Sequence, residues 1–109
     1  MIEDTVRRIE QALMNSNISD EKRDQLKTLL GELRNELAVL SETDADRARS
    51  VAGLTEVSSL EATRTQTNDE VLDLSLQGLS KSVESFETDQ PGLVKAVNSI
   101  CNFLSNSGI

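Results

Sequence analysis

The stretch LKTLLGELRNELAVL, residues 26–40, places leucine at alternating spacings of four and three residues. This spacing puts five leucines on one face of an α-helix, as in a coiled-coil heptad. Ser19 precedes the stretch and can cap the helix, because its hydroxyl can accept a hydrogen bond from an unpaired backbone N–H. The pattern predicts a helix over residues 20–40 with the apolar seam Leu26, Leu30, Leu33, Leu37 and Leu40.

Two further stripes with the same spacing follow later in the chain. The first comes after Thr67 and Glu70, which have the form of a capping box. The second begins near Pro91, whose fixed φ angle suits the first turn of a helix. We predict helices over residues 69–87 and 90–106, with the stripes Leu72, Leu76, Leu79, Val83 and Phe86, and Leu93, Val97, Ile100 and Leu104.

Weaker helical patterns cover residues 3–15 and 44–64. The second has a thin apolar face rich in Ala, Ser and Thr, with Leu54, Val57 and Leu60 beside it. Strand-like alternation is nearly absent. The sequence therefore predicts an all-α fold: a single domain over residues 1–109, with four or five amphipathic helices in antiparallel hairpins and coiled-coil-like packing.

The segment FETDQPGL, residues 86–93, contains the chain's single proline. A lone proline argues against a polyproline recognition motif, so we interpret the segment as a tight corner between two helices. From Pro91 onward the only charged side chain is Lys95. A helix with so few charges is typical of the centre of a bundle or of a subunit interface, whereas membrane-surface binding would favour a basic polar face.

Composition limits the partners of this chain. The formal net charge is −8, from 19 acidic and 11 basic residues, which disfavours nucleic acid and anionic membrane surfaces. No stretch approaches the roughly 20 apolar residues that span a bilayer, and no signal peptide is recognisable. The single cysteine, Cys101, is consistent with a reducing compartment, so we expect a cytoplasmic protein.

Several residue types and motifs that enzymes commonly use for catalysis are missing from the sequence. The chain has no histidine, and its five glycines are scattered rather than gathered in a phosphate-binding loop. Glu32 and Glu36 share a helix face, which we interpret as solvated surface. Cys101 is expected to be a small buried apolar residue, with an interchain disulfide or redox role as the alternative. We predict no catalytic residue, no cofactor and no metal site.

Several segments resemble a known family. They are DRARSVAG (46–53), LEATR (60–64), LQGL (76–79), FETDQPGL (86–93) and LSNSGI (104–109). Together they are similar to short bacterial proteins classed as domain of unknown function 4404. Members carry a His before the proline, where this chain has Gln90, which argues against essential proton transfer there. The resemblance implies a small, bacterial, helical, cytosolic protein without catalytic residues.

Three functions remain open at this stage. The first is a scaffold or adaptor that acts through helix–helix contacts, as a homodimer or with a helical protein partner. The second is an acidic chaperone for export or assembly of a helical partner. The third is an enzyme or ligand binder, which the missing histidine, tryptophan and tyrosine disfavour. The three heptad stripes either form one intramolecular bundle or leave one seam to pair between chains.

Overall fold

The computed structural model describes residues 2–106 and confirms the all-α prediction. Its five α-helices are α1 (Ile2–Met14), α2 (Asp20–Ser41), α3 (Ala45–Ala62), α4 (Asp69–Ser82) and α5 (Pro91–Asn106). A short 3₁₀ turn, Glu84–Phe86, follows α4. Residues 107–109 of the terminal LSNSGI segment lie outside the described residues.

The centre of the bundle is α3, which packs against each of the other four helices. Small buried side chains, including Ala48, Ala52 and Ser59, allow its neighbours to approach closely on several sides. Of the two positions predicted for the last helix, α5 does not occupy the centre of the bundle, and a subunit interface stays a prediction. Helix α5 contacts α2, α4 and α3 with one face, and its opposite face, including Asn98 and Asn102, is exposed.

Capping residues fix where the helices begin. Ser19 caps α2 as predicted, since its Oγ accepts a hydrogen bond from the Lys22 N–H at 3.2 Å. Thr67 was the wrong cap for α4. Instead, Asn68 Oδ1 accepts from the Val71 N–H at 3.1 Å. The backbone N–H of Asn68 donates to Glu61 Oε2 on α3 at 2.9 Å. Glu61 thus accepts from the N–H of the capping residue, as Glu70 would have done in the predicted capping box.

The predicted helix over residues 69–87 is too long by one turn. α4 ends at Ser82, and the chain tightens into i→i+3 hydrogen bonds, such as Phe86 N–H to Val83 O at 2.9 Å. The tighter turn reverses the chain within the few residues that separate α4 from Pro91. α5 starts at Pro91, and the Gln90 carbonyl accepts from the N–H groups of its first turn.

Candidate functional site

All three heptad stripes lie inside the core of a single chain. The seam of α2 is buried throughout, as are the stripe residues of α4 and α5, and Val83 beside them. Phe86 is half-buried, and the guanidinium of Arg47 lies 5.9 Å from its ring centroid. These residues therefore pack the helices of one chain against each other, and no stripe remains open for a partner. Any interface must use another surface.

A different set of apolar side chains is open to solvent. In the described part of the chain six large apolar residues are exposed, and four of them lie on the neighbouring helices α3 and α4. Their exposed fractions are 49% for Val57, 39% for Leu60, 41% for Val71 and 61% for Leu74. Each pair is spaced i,i+3, so each pair forms a ridge along its helix. Half-buried Leu54 and Gly53 extend the α3 ridge, and Gly78 extends the α4 ridge.

We call these seven residues the α3–α4 face: Gly53, Leu54, Val57 and Leu60 on α3, and Val71, Leu74 and Gly78 on α4. Two contacts show that the helices run antiparallel and that Leu54 lies against Gly78, whereas Gly53 and Leu60 lie on the side of α3 toward α1, where they line clefts with α1 residues. Leu54 Cδ2 lies 3.6 Å from the position that a Cβ on Gly78 would occupy. Further along, Arg47 donates a 3.4 Å hydrogen bond to the Ser82 carbonyl.

Glu61 holds the loop end of this hairpin. Its side chain is almost fully buried, and Oε2 accepts the 2.9 Å hydrogen bond from the Asn68 N–H. Oε1 lies 3.6 Å from Nε of the exposed Arg64. The carboxylate thus joins the end of α3 to the positive N-terminal end of α4, where a negative charge is favourable.

The outward side of α3 is almost free of charge. From Ser50 to Leu60 the only charged residue is Glu56, and it is turned toward α1. Both of its carboxylate oxygens accept hydrogen bonds from Arg8, at 2.8 and 3.0 Å. These hydrogen bonds lower the pKa of Glu56 and raise that of Arg8. Because this charge is paired away from the face, α3 presents no unpaired charge between Ser50 and Leu60, and the nearest exposed charge beyond them is Arg64, which lines the same cleft as Leu60.

The outward face of α5 also has few charges, and it is polar rather than apolar. A shallow groove of about 340 Å³ runs along it between Pro91 and Asn102, with Lys95 on its lining. None of the six exposed large apolar residues lies there. The α5 face therefore offers less apolar area to a partner than the α3–α4 face does.

The largest cleft described lies where the α1–α2 and α3–α4 loops meet. It has a volume of about 840 Å³ and is lined mainly by hydroxyl and amide side chains. Lys22 and Arg64 are its charged lining residues, and no carboxylate is among them. A cleft of this composition can bind a small polar molecule, with Lys22 and Arg64 as its cationic groups. Among residues 2–106, no cluster of three or more potential metal ligands occurs.

The structure also shows the surroundings of Cys101 and of the pair Glu32 and Glu36. Cys101 is half-buried rather than fully buried, and its thiol donates weakly to the Leu76 carbonyl at 3.8 Å. Burial raises the pKa of this thiol. Glu36 is not simply a solvated surface carboxylate, because it lies against the first turn of α5, where a Cβ on Gly92 would overlap Oε1. Glu32 is exposed, as predicted.

The sequence did not identify the α3–α4 face as a surface of interest. Leu54, Val57 and Leu60 were placed beside the buried face of α3, without a distinction between covered and open positions. The signal that could have found it is the uncharged run SVAGLTEVSSL, residues 50–60. On a helix that faces water along one side, charged residues are expected at that side's i,i+3 and i,i+4 positions.

None of the helices that the structure describes is both long enough and apolar enough to cross a bilayer. Comparison with curated proteins and with solved structures found no match to this chain. The sequence profile described as "Domain of unknown function (DUF4404)" matches residues 26–109. The match begins within α2, continues through α5 and includes every segment that carried the resemblance. On this evidence of sequence, the chain belongs to the DUF4404 family.

Proposed function

We infer that this chain is a non-enzymatic helical scaffold or adaptor that acts through helix–helix contacts and forms a homodimer. One observation carries the inference: Val57, Leu60, Val71 and Leu74 form an exposed apolar surface on two adjacent helices. Exposed apolar surface of this kind is typical of protein-binding sites. When a partner covers the surface, water is released and the free energy of the complex is lowered.

Several features support a non-enzymatic role. The chain has no histidine, and the largest cleft has no carboxylate on its lining. The ionisable groups with a shifted pKa are Arg8, Glu56 and Cys101. Arg8 and Glu56 bind each other across α1 and α3, so their shift has a structural cause rather than a catalytic one.

The proposal also includes the class of partner, the cellular location and the source of the protein. The net charge of −8 favours protein partners over nucleic acid or anionic membranes. The single, half-buried cysteine fits a reducing cytoplasm. The family resemblance suggests a bacterial source. Contacts between chains are expected to be coiled-coil-like, because the exposed ridges on α3 and α4 have i,i+3 spacing.

The molar mass in solution tests this function. The mass of one chain is 11.9 kDa, and light scattering on a size-exclusion column, across a dilution series, distinguishes one chain from two. We expect a dimer at high concentration. A monomer at every concentration, together with no binding to any candidate protein, would contradict the scaffold function.

A second candidate function is an acidic chaperone for a helical partner. Glu70 lies on the same side of α4 as the exposed Leu74, four residues before it, and Asp69 and Asp73 add negative charge to the start of the helix. This combination suits a basic amphipathic helix, whose apolar side would cover Leu74 and Val71. Co-purification of one dominant basic partner that is lost in Leu74→Glu would favour this function over the homodimer.

A further inference from the structure

We propose that the α3–α4 face binds the same face of a second copy of this chain across a two-fold axis, with the two α4 helices antiparallel. The inference rests on the proposed function, because it names the surface and the geometry through which the chain self-associates. A two-fold contact requires a face that is complementary to itself, both in apolar area and in charge.

The position of α3 supplies the first argument. It packs against all four other helices, so only a narrow strip centred on Gly53, Val57 and Leu60 faces outward. That strip has no charged residue between Ser50 and Leu60 except Glu56, which binds Arg8 to the side. A helix that lacks polar residues on its outward side is usually buried on all sides. A second copy of the chain would bury the side of α3 that its own chain leaves exposed.

The charges on α4 indicate which partner fits. Glu70 precedes Leu74 by four residues and Lys81 follows it by seven, so all three lie on one side of α4, and all three are exposed. An antiparallel pairing of two α4 helices sets Glu70 of each copy against Lys81 of the other. A parallel pairing would instead bring like charges together. The α4 surface is therefore complementary to itself in the antiparallel arrangement.

The centre defined by these charges coincides with the centre of the apolar face. The midpoint between Glu70 and Lys81 lies between two and three residues before Gly78. Leu54 packs on Gly78, and α3 runs in the opposite direction. The same level on α3 therefore lies between two and three residues after Leu54, between Glu56 and Val57. The two-fold axis that pairs the charges passes beside Val57, the most exposed of the large apolar residues of α3.

The size of the face sets the expected affinity. The contact extends on α4 from Glu70 to Lys81, which is 12 residues or about 18 Å, and two neighbouring helices are about 20 Å wide. The contact would bury about 360 Å² per copy, or about 700 Å² in total, which is the size of a weak, transient interface. We therefore expect a dimer that dissociates within an accessible dilution series.

The first part of the test locates the interface. Molar mass by light scattering is measured across a dilution series for the wild type, Leu74→Glu and Val39→Glu. Val39 on α2 is a matched control, because it is 58% exposed, close to Leu74 at 61%. We expect Leu74→Glu to weaken dimerisation at least 100-fold and Val39→Glu to behave like the wild type. Circular dichroism verifies that each variant is folded.

The second part tests the geometry by charge reversal. Glu70→Lys and Lys81→Glu should each weaken the dimer about tenfold, because each replaces two attractive contacts with two repulsive ones. The double variant should recover the wild-type dissociation constant, since the pairs are restored in reverse. Glu32→Lys, at an exposed position on α2, changes the net charge by the same amount as Glu70→Lys and should have no effect.

Each outcome has a distinct meaning. A wild-type monomer at every concentration overturns both the proposed homodimer and this inference. A dimer that survives Leu74→Glu overturns this inference alone, and loss of that dimer in Asn98→Glu would place the interface on α5. A dimer that is lost in Leu74→Glu but not recovered by the double charge reversal overturns the antiparallel arrangement.

Discussion

Replacement of Glu61 by leucine is the sharpest test of what holds the α3–α4 hairpin together. Glu61 Oε2 accepts the hydrogen bond from the Asn68 N–H at 2.9 Å, from a nearly buried position. Leucine has a similar volume but cannot accept that bond, so it leaves the N–H at the start of α4 without its partner. A hydrogen bond to a charged group contributes about 1.5–3 kcal/mol, so we expect a loss of about 2 kcal/mol in the free energy of unfolding.

Glu61→Gln separates the hydrogen bond from the charge. The amide oxygen of glutamine can still accept from Asn68, and the charge contacts that it removes are with Arg64, whose side chain is 65% exposed, and with the N-terminal end of α4. Exposed ion pairs contribute little. We therefore expect Glu61→Gln to cost less than about 1 kcal/mol, well below the cost of Glu61→Leu.

Urea unfolding followed by circular dichroism measures the difference. With an m-value of about 2 kcal/mol/M, a loss of about 2 kcal/mol moves the midpoint by about 1 M. All variants are compared at one protein concentration, because self-association also adds stability. Glu32→Leu and Glu32→Gln, at an exposed position on α2, are matched controls and should change stability by less than about 0.5 kcal/mol.

Two results would refute this reasoning. A neutral or more stable Glu61→Leu variant would mean that the cost of burying the carboxylate exceeds the value of its hydrogen bond, as in some buried ion pairs. Equal destabilisation by Gln and Leu would mean that the charge, and not the acceptor oxygen, holds the start of α4.

Three further predictions concern other groups in the core and on its edge. Ser59→Ala should stabilise the protein by about 1 kcal/mol, because Ser59 Oγ is buried and has no hydrogen-bond partner among the described residues. Ser58→Ala, a control whose hydroxyl bonds the carbonyl four residues earlier at 2.9 Å, should show no such gain in thermal unfolding. Arg8→Gln should lower stability at neutral pH. Because Arg8 lowers the folded-state pKa of Glu56, its contribution is complete above the ordinary value of 4.5 and disappears as the pH falls through the lowered pKa. A difference from the wild type that persists in strong acid would contradict this. Cys101 should react with a maleimide at least about tenfold more slowly in the folded than in the unfolded chain, because burial raises its pKa and the thiolate is the reactive form. Equal rates would show that the thiol is accessible.

The helices themselves were predictable because their signals are local. The four-and-three spacing of Leu26 through Leu40 defines a helix and its buried side without reference to the rest of the chain. The Ser19 cap and the start of α5 at Pro91 depend only on neighbouring backbone groups, and both predictions are confirmed. The sequence predictions were wrong where a residue distant in sequence, and not a neighbouring one, accepts the hydrogen bond of a helix end. Glu61 on α3 bonds the Asn68 N–H, so the local Thr67–Glu70 box was not used.

The sequence by itself determined an all-α chain, its apolar stripes and its acidic surface, because composition and periodicity suffice for each, and its specific segments carried the family resemblance. Only the tertiary structure decided which helix is central and which apolar residues remain open. Arg8 and Glu56 are 48 residues apart, and nothing near either one indicates that they pair. Val57 and Ala48 lie on the same helix, yet one is exposed and the other buried, since neighbours distant in sequence cover one side of α3. The candidate interface on α3 and α4 is defined by that packing.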